Sequence, residues 1–186
     1  MDTRRFTREP WWPWLQRLWR HHWQPERAAW QAVPDAMAER LARRVGASEQ
    51  RHTGQVCVCV EGALPSSYVW RAGRHDSLDA VVRQRALAWF GRLRVWDTEH
   101  NNGVLVYLLL AERRIELVAD RGLMRHCSAT EWAAMVQRLS GHLQRGDFEA
   151  GLTQALEEIS ALLVAHFAAP PGQDQPNELP NTIVRV

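Results

Sequence analysis

Asp97, Glu99, Asn101 and Asn102 crowd into the run Asp97-Thr-Glu-His-Asn-Asn-Gly103, and Asp120 opens a second short motif, Asp120-Arg-Gly122. Carboxylate and amide oxygens on short loops are hard ligands, suited to calcium or magnesium. The alternation Asp97, Glu99, Asn101 is that of an opening EF-hand loop. Yet Gly103 stands seventh rather than sixth and the twelfth residue is Leu108, so an EF-hand is excluded. Two readings of the loops stand side by side. In one, Asn102-Gly103 makes a tight turn for backbone reasons, and Asp120 caps a helix or pairs with an arginine. In the other, Asp97, Glu99 and Asp120 surround a divalent cation and Asn101 and Asn102 add neutral oxygens. Calcium is then favoured over magnesium, and over zinc because only His100 and His52 offer imidazole nearby.

Other chemistries have weaker support. The chain carries no Gly-rich phosphate loop, no Gly-x-Ser-x-Gly elbow and no His-Glu-x-x-His. No serine or threonine has an obvious base nearby in sequence. Cys57, Cys59 and Cys127 are too few and too oddly numbered for a disulfide framework. Cys57 and Cys59 sit two apart in a strand-like run, share one face, and read as small buried residues in a reducing compartment.

For the two acidic loops to meet, the elements between them must run in the right directions. Gln55–Glu61 is β-branched and almost wholly apolar, as a strand covered on both faces should be. Leu78, Val81, Val82, Leu87, Trp89, Phe90 and Leu93 predict a helix from Ser77 to about Leu93, after a Pro/Ser/Gly loop. Gly103–Leu110 is a second strand, parallel to the first through a crossover connection. Arg113-Arg114 then turns the chain into Ile115–Ala119, the antiparallel arm of a hairpin. This order puts Asp120 beside Gly103 and places both at the sheet end where the first strand begins, near His52. Glu61 falls at the opposite end.

Further helices are predicted from Pro34-Asp35 to about Gln50, and from the capping box Ser128-Ala-Thr-Glu131 to about Leu143. Another should start near Phe148, with Leu152, Leu156, Ile159, Leu162 and Leu163 on one side. The fold class is therefore α/β, a mixed sheet in a β-α-β-β-α-α core sandwiched between helices in three layers. Residues 34–169 make this domain, 1–33 an N-terminal arm and 170–186 an extended tail, whose Thr182–Val186 segment suits an edge strand.

Charge and composition narrow the function. The net charge is +2, and all 23 basic residues are arginine. Outside residues 1–30 the balance is 17 basic against 18 acidic, spread without concentration on one face, so nucleic-acid binding is not expected. The arm holds Trp11, Trp12, Trp14, Trp19, Trp23 and Trp30, six of ten tryptophans, with Arg17 and Arg20 among them. Tryptophans on one side and arginines on the other suit a bilayer interface or a partner surface. The sequence lacks an apolar signal core and any run of 18 apolar residues, which leads to the expectation of a cytoplasmic protein, peripheral on the inner membrane.

Arg51-His-Thr-Gly-Gln-Val, Leu93-Arg-Val-Trp-Asp-Thr-Glu-His-Asn-Asn-Gly-Val-Leu and Glu116-Leu-Val-Ala-Asp-Arg-Gly122 together resemble the TPM domain family. Gly146-Asp-Phe-Glu-Ala-Gly151 and Asn177-Glu-Leu-Pro180 are similar to its short bacterial branch without a signal peptide. The resemblance implies a cation site at the rim formed by the Asn-Asn-Gly and Asp-Arg-Gly loops, carried over onto Asp97, Asn101, Asn102 and Asp120. It also implies either of two roles. One is a non-enzymatic assembly, repair or modulatory module at the inner membrane surface or on a membrane-associated protein. The other is a metal-dependent acid phosphatase acting on phosphomonoesters. Gln55 departs from the acid that the family pattern leads one to expect there.

Overall fold

The computed structural model describes residues 27–72, 76–170 and 181–186. The arm residues Trp11, Trp12, Trp14, Trp19, Trp23, Arg17 and Arg20 lie outside the described residues.

Four strands form one mixed sheet in the order β3-β2-β1-β4. β1 (Val56–Glu61) and β2 (Val104–Leu109) are parallel, with Val56 opposite Val104 and Glu61 opposite Leu109. β3 (Arg114–Ala119) returns antiparallel to β2, setting Ala119 beside Val104. The turn from Leu110 to Arg113 closes with Arg113 in the left-handed region at φ 51°. β4 (Ile183–Arg185) adds a short parallel edge strand to β1, as the tail segment was expected to do. The other edge, β3, is guarded by Arg83, whose Nη1 donates to the Leu117 carbonyl at 3.0 Å and to Glu116 at 3.1 Å. A charged cap on an open strand edge discourages pairing with another chain.

Every residue of β1 and β2 is buried, because both faces of the sheet are covered. The valines of β1 and Val104, Val106 and Leu108 of β2 face one layer: α1 (Arg27–Ala32), α2 (Asp35–Glu49), α6 (Ala129–Gln144) and α7 (Phe148–Phe167). Cys57, Cys59, Leu105, Tyr107 and Leu109 face the other: α3 (Ser66–Arg71) and α4 (Leu78–Arg92). Alternation along the strands thus builds two apolar cores on either side of one sheet. The expected capping box at Ser128 and Glu131 is present, with both reciprocal bonds, and Ser77 caps α4 through its bond from the Ala80 N–H.

Three short helices went unread in the sequence: α1, within the stretch taken as the arm, α3, in the segment taken as a loop, and α5 (Arg121–Met124), which Asp120 caps. Each is too short to show a hydrophobic period. At the N-terminal side, Ala29 and Val33 are fully buried in the core. The Arg185 guanidinium sits 3.8 Å over the Trp30 ring and also donates to the Val33 carbonyl. No helix among the described residues is long and apolar enough to cross a membrane.

Candidate functional site at the sheet rim

The rim where β1 and β2 begin and β3 ends is assembled by backbone contacts. The Asp120 N–H donates to the Gly103 carbonyl at 2.9 Å, and the Gly122 N–H to the Asn101 carbonyl at 2.8 Å. Two glycines permit this closeness. A Cβ on Gly122 would stand 2.5 Å from the Asn101 carbonyl oxygen and 2.7 Å from that of His100, and one on Gly103 would collide with the Val95 carbonyl. Asn101 takes the left-handed conformation at φ 51°, which asparagine tolerates better than most residues. The two loops expected to share a rim do share it.

Asn102 is the centre of this arrangement and is fully buried. Its N–H donates to Thr98 Oγ1 at 3.1 Å, and its side-chain Nδ2 donates to Thr53 Oγ1 at 3.1 Å. Its Oδ1 is buried without a hydrogen-bond donor among the described residues, and so is Asp120 Oδ2, while Asp120 Oδ1 accepts from the Arg121 N–H at 2.6 Å. Buried acceptors without donors are rare, since each costs about 1–3 kcal/mol. Thr53 and Thr98 went unremarked in the sequence, where oxygens were counted as ligands and hydroxyls that orient them were not.

The remaining predicted ligands stand apart from this pair. Asp97, Glu99 and Asn101 are exposed. Among the described residues no three His, Cys, Asp or Glu side chains gather into a group able to hold a metal ion, so Asp97, Glu99 and Asp120 do not form the three-carboxylate ring that their spacing suggested. His52 is committed elsewhere: it is fully buried, its Nε2 lies 2.7 Å from Ser48 Oγ and its Nδ1 3.1 Å from the Gly54 carbonyl.

Ser48 and His52 are a serine–imidazole pair at i, i+4 that the sequence reading passed over. A carbonyl can only accept, so Nδ1 carries the proton and Nε2 accepts from the Ser48 hydroxyl. That tautomer resembles an activated nucleophile. Burial, however, pushes the His52 imidazole down to about 4, too acidic for a general base near neutrality, and Ser48 is itself buried. The pair pins the α2–β1 connection.

At the opposite end of the sheet Glu61 is buried with its carboxylate fully used. Arg85 Nη2 donates to it at 2.6 Å, Tyr107 Oη at 2.6 Å and Trp89 Nε1 at 3.0 Å. Burial, followed by the Glu61 charge, drives the Tyr107 phenol well above its ordinary range. Burial likewise raises the Cys57 thiol to about 12, and Cys59 is buried beside Glu61, so neither is a ready thiolate.

Comparison with known proteins agrees with this architecture. The chain resembles BA42 from the psychrophilic bacterium Bizionia argentinensis, solved by NMR, at 22% identity and a TM-score of 0.65, over 82% of this chain and 94% of that one. It also resembles the N-terminal domain of a protein from P. gingivalis at 19% identity and a TM-score of 0.54, over 74% and 82% of the two chains. At these identities the likeness is one of fold. No curated protein matches the chain. The TPM domain model matches residues 31–162, well over half of the sequence and the whole of the rim, and the chain therefore belongs to the TPM domain family.

Proposed function

We propose that this TPM domain is a non-enzymatic, membrane-associated assembly, repair or modulatory module that binds a divalent cation at the rim. The observation that carries the reading is the pair of buried, donorless oxygens, Asn102 Oδ1 and Asp120 Oδ2, on loops locked together by backbone bonds. A cation is the partner that would satisfy both at once, with water and loop carbonyls completing its shell. Calcium fits better than magnesium, because it accepts six to eight oxygens in irregular geometry while magnesium demands a near-ideal octahedron. Exposed Asp97 and Glu99 would then draw the ion in by their charge, and Asn101 would serve through its backbone as much as its amide.

The tryptophans and arginines of the arm, Trp11, Trp12, Trp14, Trp19, Trp23, Arg17 and Arg20, are proposed to contact the inner membrane surface or a membrane-associated protein. Each arginine near an anionic surface adds about 1 kcal/mol. The hydrolase reading would require catalysis from the rim itself, where His52 is engaged and buried.

The deciding experiment follows the melting temperature with calcium, with magnesium and with chelator, alongside a phosphomonoester hydrolysis assay. A calcium-dependent rise without cleavage supports the module. Cation-dependent cleavage abolished by Asp120→Asn would replace it with the hydrolase, and no response to either ion would overturn the cation site.

A further inference from the structure

α2 and α7 lie side by side on one face of the sheet, and their polar faces meet as a ladder of side-chain pairs. Arg40 grips Glu149 through two bonds of 2.6 and 2.7 Å, and Arg51 Nη2 donates to Ser160 Oγ at 3.0 Å; each pair is 109 residues apart. Between them Arg44 reaches Glu157 at 3.6 Å. The spacing matches on both helices, Arg44, Ser48 and Arg51 on one and Thr153, Glu157 and Ser160 on the other, each i, i+4, i+7 and so on a single face. Two rungs pair an arginine with a carboxylate. The third offers Arg51 only a hydroxyl, and no carboxylate meets it among the described residues.

That third rung opens onto a pocket of about 280 Å³ lined by these six residues together with Ala47 and Leu156. We infer that this pocket is a site for a small oxyanion of the phosphate-monoester class, held chiefly by the Arg51 guanidinium. Ser160 is buried and accepts from Arg51, which fixes the direction of the fork and leaves the Ser160 hydroxyl proton free to donate. Ser48 does not compete, because its proton is directed at His52. Two guanidiniums face one carboxylate in the pocket, leaving a single uncompensated positive charge. A planar guanidinium matches two oxygens of a phosphate in parallel, which a chloride ion cannot do. The site is separate from the rim and needs no divalent cation. A soluble phosphate monoester and a membrane lipid whose headgroup is a phosphate monoester share this chemistry.

The test uses the full chain with chelator present, so that the rim plays no part. Inorganic phosphate and glycerol 3-phosphate are titrated by calorimetry at ionic strength held constant with chloride. Phosphatidylcholine vesicles with and without phosphatidic acid are used in cosedimentation. Arg51→Gln should weaken phosphate binding about tenfold or more, and Arg51→Lys should fail to restore it because the fork is lost. Arg40→Gln, on the rung that has its own carboxylate, should stay within about twofold of wild type. Should Arg51→Gln disturb folding, Ser160→Ala with an unchanged circular dichroism spectrum should show the same loss. Binding of glycerol 3-phosphate with this dependence identifies a soluble ligand. Binding confined to phosphatidic acid vesicles and lost in Arg51→Gln identifies the lipid. Binding that Arg51→Gln leaves unchanged means an adventitious ion only, and that result, like no binding to any probe, overturns the site.

Discussion

Asn102 donates its side-chain amide to the Thr53 hydroxyl at 3.1 Å, and this bond ties the start of β2 to the approach of β1. The Thr53 N–H in turn donates to the Phe167 carbonyl at 2.9 Å, so the same contact reaches the end of α7. It also fixes which end of Asn102 is left over: with Nδ2 spent on Thr53, Oδ1 is the side-chain atom without a donor among the described residues. A change at either residue should therefore be felt in both stability and ion binding.

Asn102→Ala should lower stability by about 1–2 kcal/mol, since a buried hydrogen bond is lost and Thr53 keeps a hydroxyl without its donor. Thr53→Val should cost a similar amount while leaving Asn102 Oδ1 in place. Urea denaturation in chelator measures both. A loss below the error of the method in both variants would mean that the bond does not hold the rim together.

Calcium at about a hundred times its dissociation constant should stabilise the protein by about 2.7 kcal/mol. In a chain of this size that is a rise of roughly 5–10 °C in melting temperature. Asp120→Asn should remove most of the rise and Asp97→Asn a smaller part, because Asp120 Oδ2 is buried at the rim while Asp97 is exposed. Glu61→Gln, at the far end of the sheet, should lower the starting temperature and leave the calcium-induced difference intact. Differential scanning fluorimetry of the four proteins with and without calcium gives the ranking.

The strand order and the shared rim were legible because hydrophobic periodicity and connection lengths leave few ways to thread a strand, helix, strand and hairpin. The rim placement of Asn102 and Asp120 was legible for the same reason, since one lies just ahead of β2 and the other just past the end of β3. Sequence spacing could not tell which acids face inward: Asp97 and Glu99 share the loop with Asn102, yet only Asn102 is buried. The pairing of Ser48 with His52 was missed because its significance depends on the Gly54 carbonyl, which fixes the imidazole tautomer through a contact that no spacing rule describes. Glu61 reads as an ordinary charged strand end until Arg85, Trp89 and Tyr107 are brought onto it from elements far apart in the chain.

Arg85→Met should destabilise the protein by about 3–5 kcal/mol by leaving Glu61 buried without its cation. Tyr107→Phe, which removes one of the donors, should cost about 1–2 kcal/mol. Chemical denaturation at pH 7 checks both. Equal, small losses would mean that Glu61 is held by the remaining donors and that the ion pair contributes little.

Removal of the arm should abolish binding to anionic vesicles while preserving the fold, provided the cut spares the residues that belong to the core. Ala29 and Val33 are fully buried and Trp30 packs under Arg185, so the shortened chain should begin at Arg27. Cosedimentation with anionic liposomes compares it with the full chain, and circular dichroism confirms that it folds. Equal recovery of both would remove the arm from the membrane reading.

Glu49 makes stability depend on pH in a direction opposite to that of a surface acid. It is buried at the end of α2, accepts from the Val56 N–H at 3.1 Å, and burial raises its carboxyl to about 7 despite that bond and a donor from Asn181. An unfolded glutamate titrates near 4.3. Between these values the folded protein holds a proton that the unfolded chain has released, so this group's contribution is fully present at about pH 4 and is lost as pH rises through 7. Glu49→Gln keeps the shape and the acceptor and has no charge to bury. It should match wild type near pH 4 and exceed it above pH 7, by up to roughly 4 kcal/mol at 1.36 kcal/mol for each pKa unit. His52 runs the other way: its imidazole is held neutral and down to about 4, so its contribution is present above about 6.5 and fades as pH falls toward 4. The difference between Glu49→Gln and wild type cancels the His52 contribution, which both proteins share. Guanidinium unfolding of the two at pH 5, 6, 7 and 8 should therefore give a difference that grows with pH. A constant difference would mean that Glu49 is ionised in the folded protein throughout, with solvent or Asn181 supplying what burial takes away.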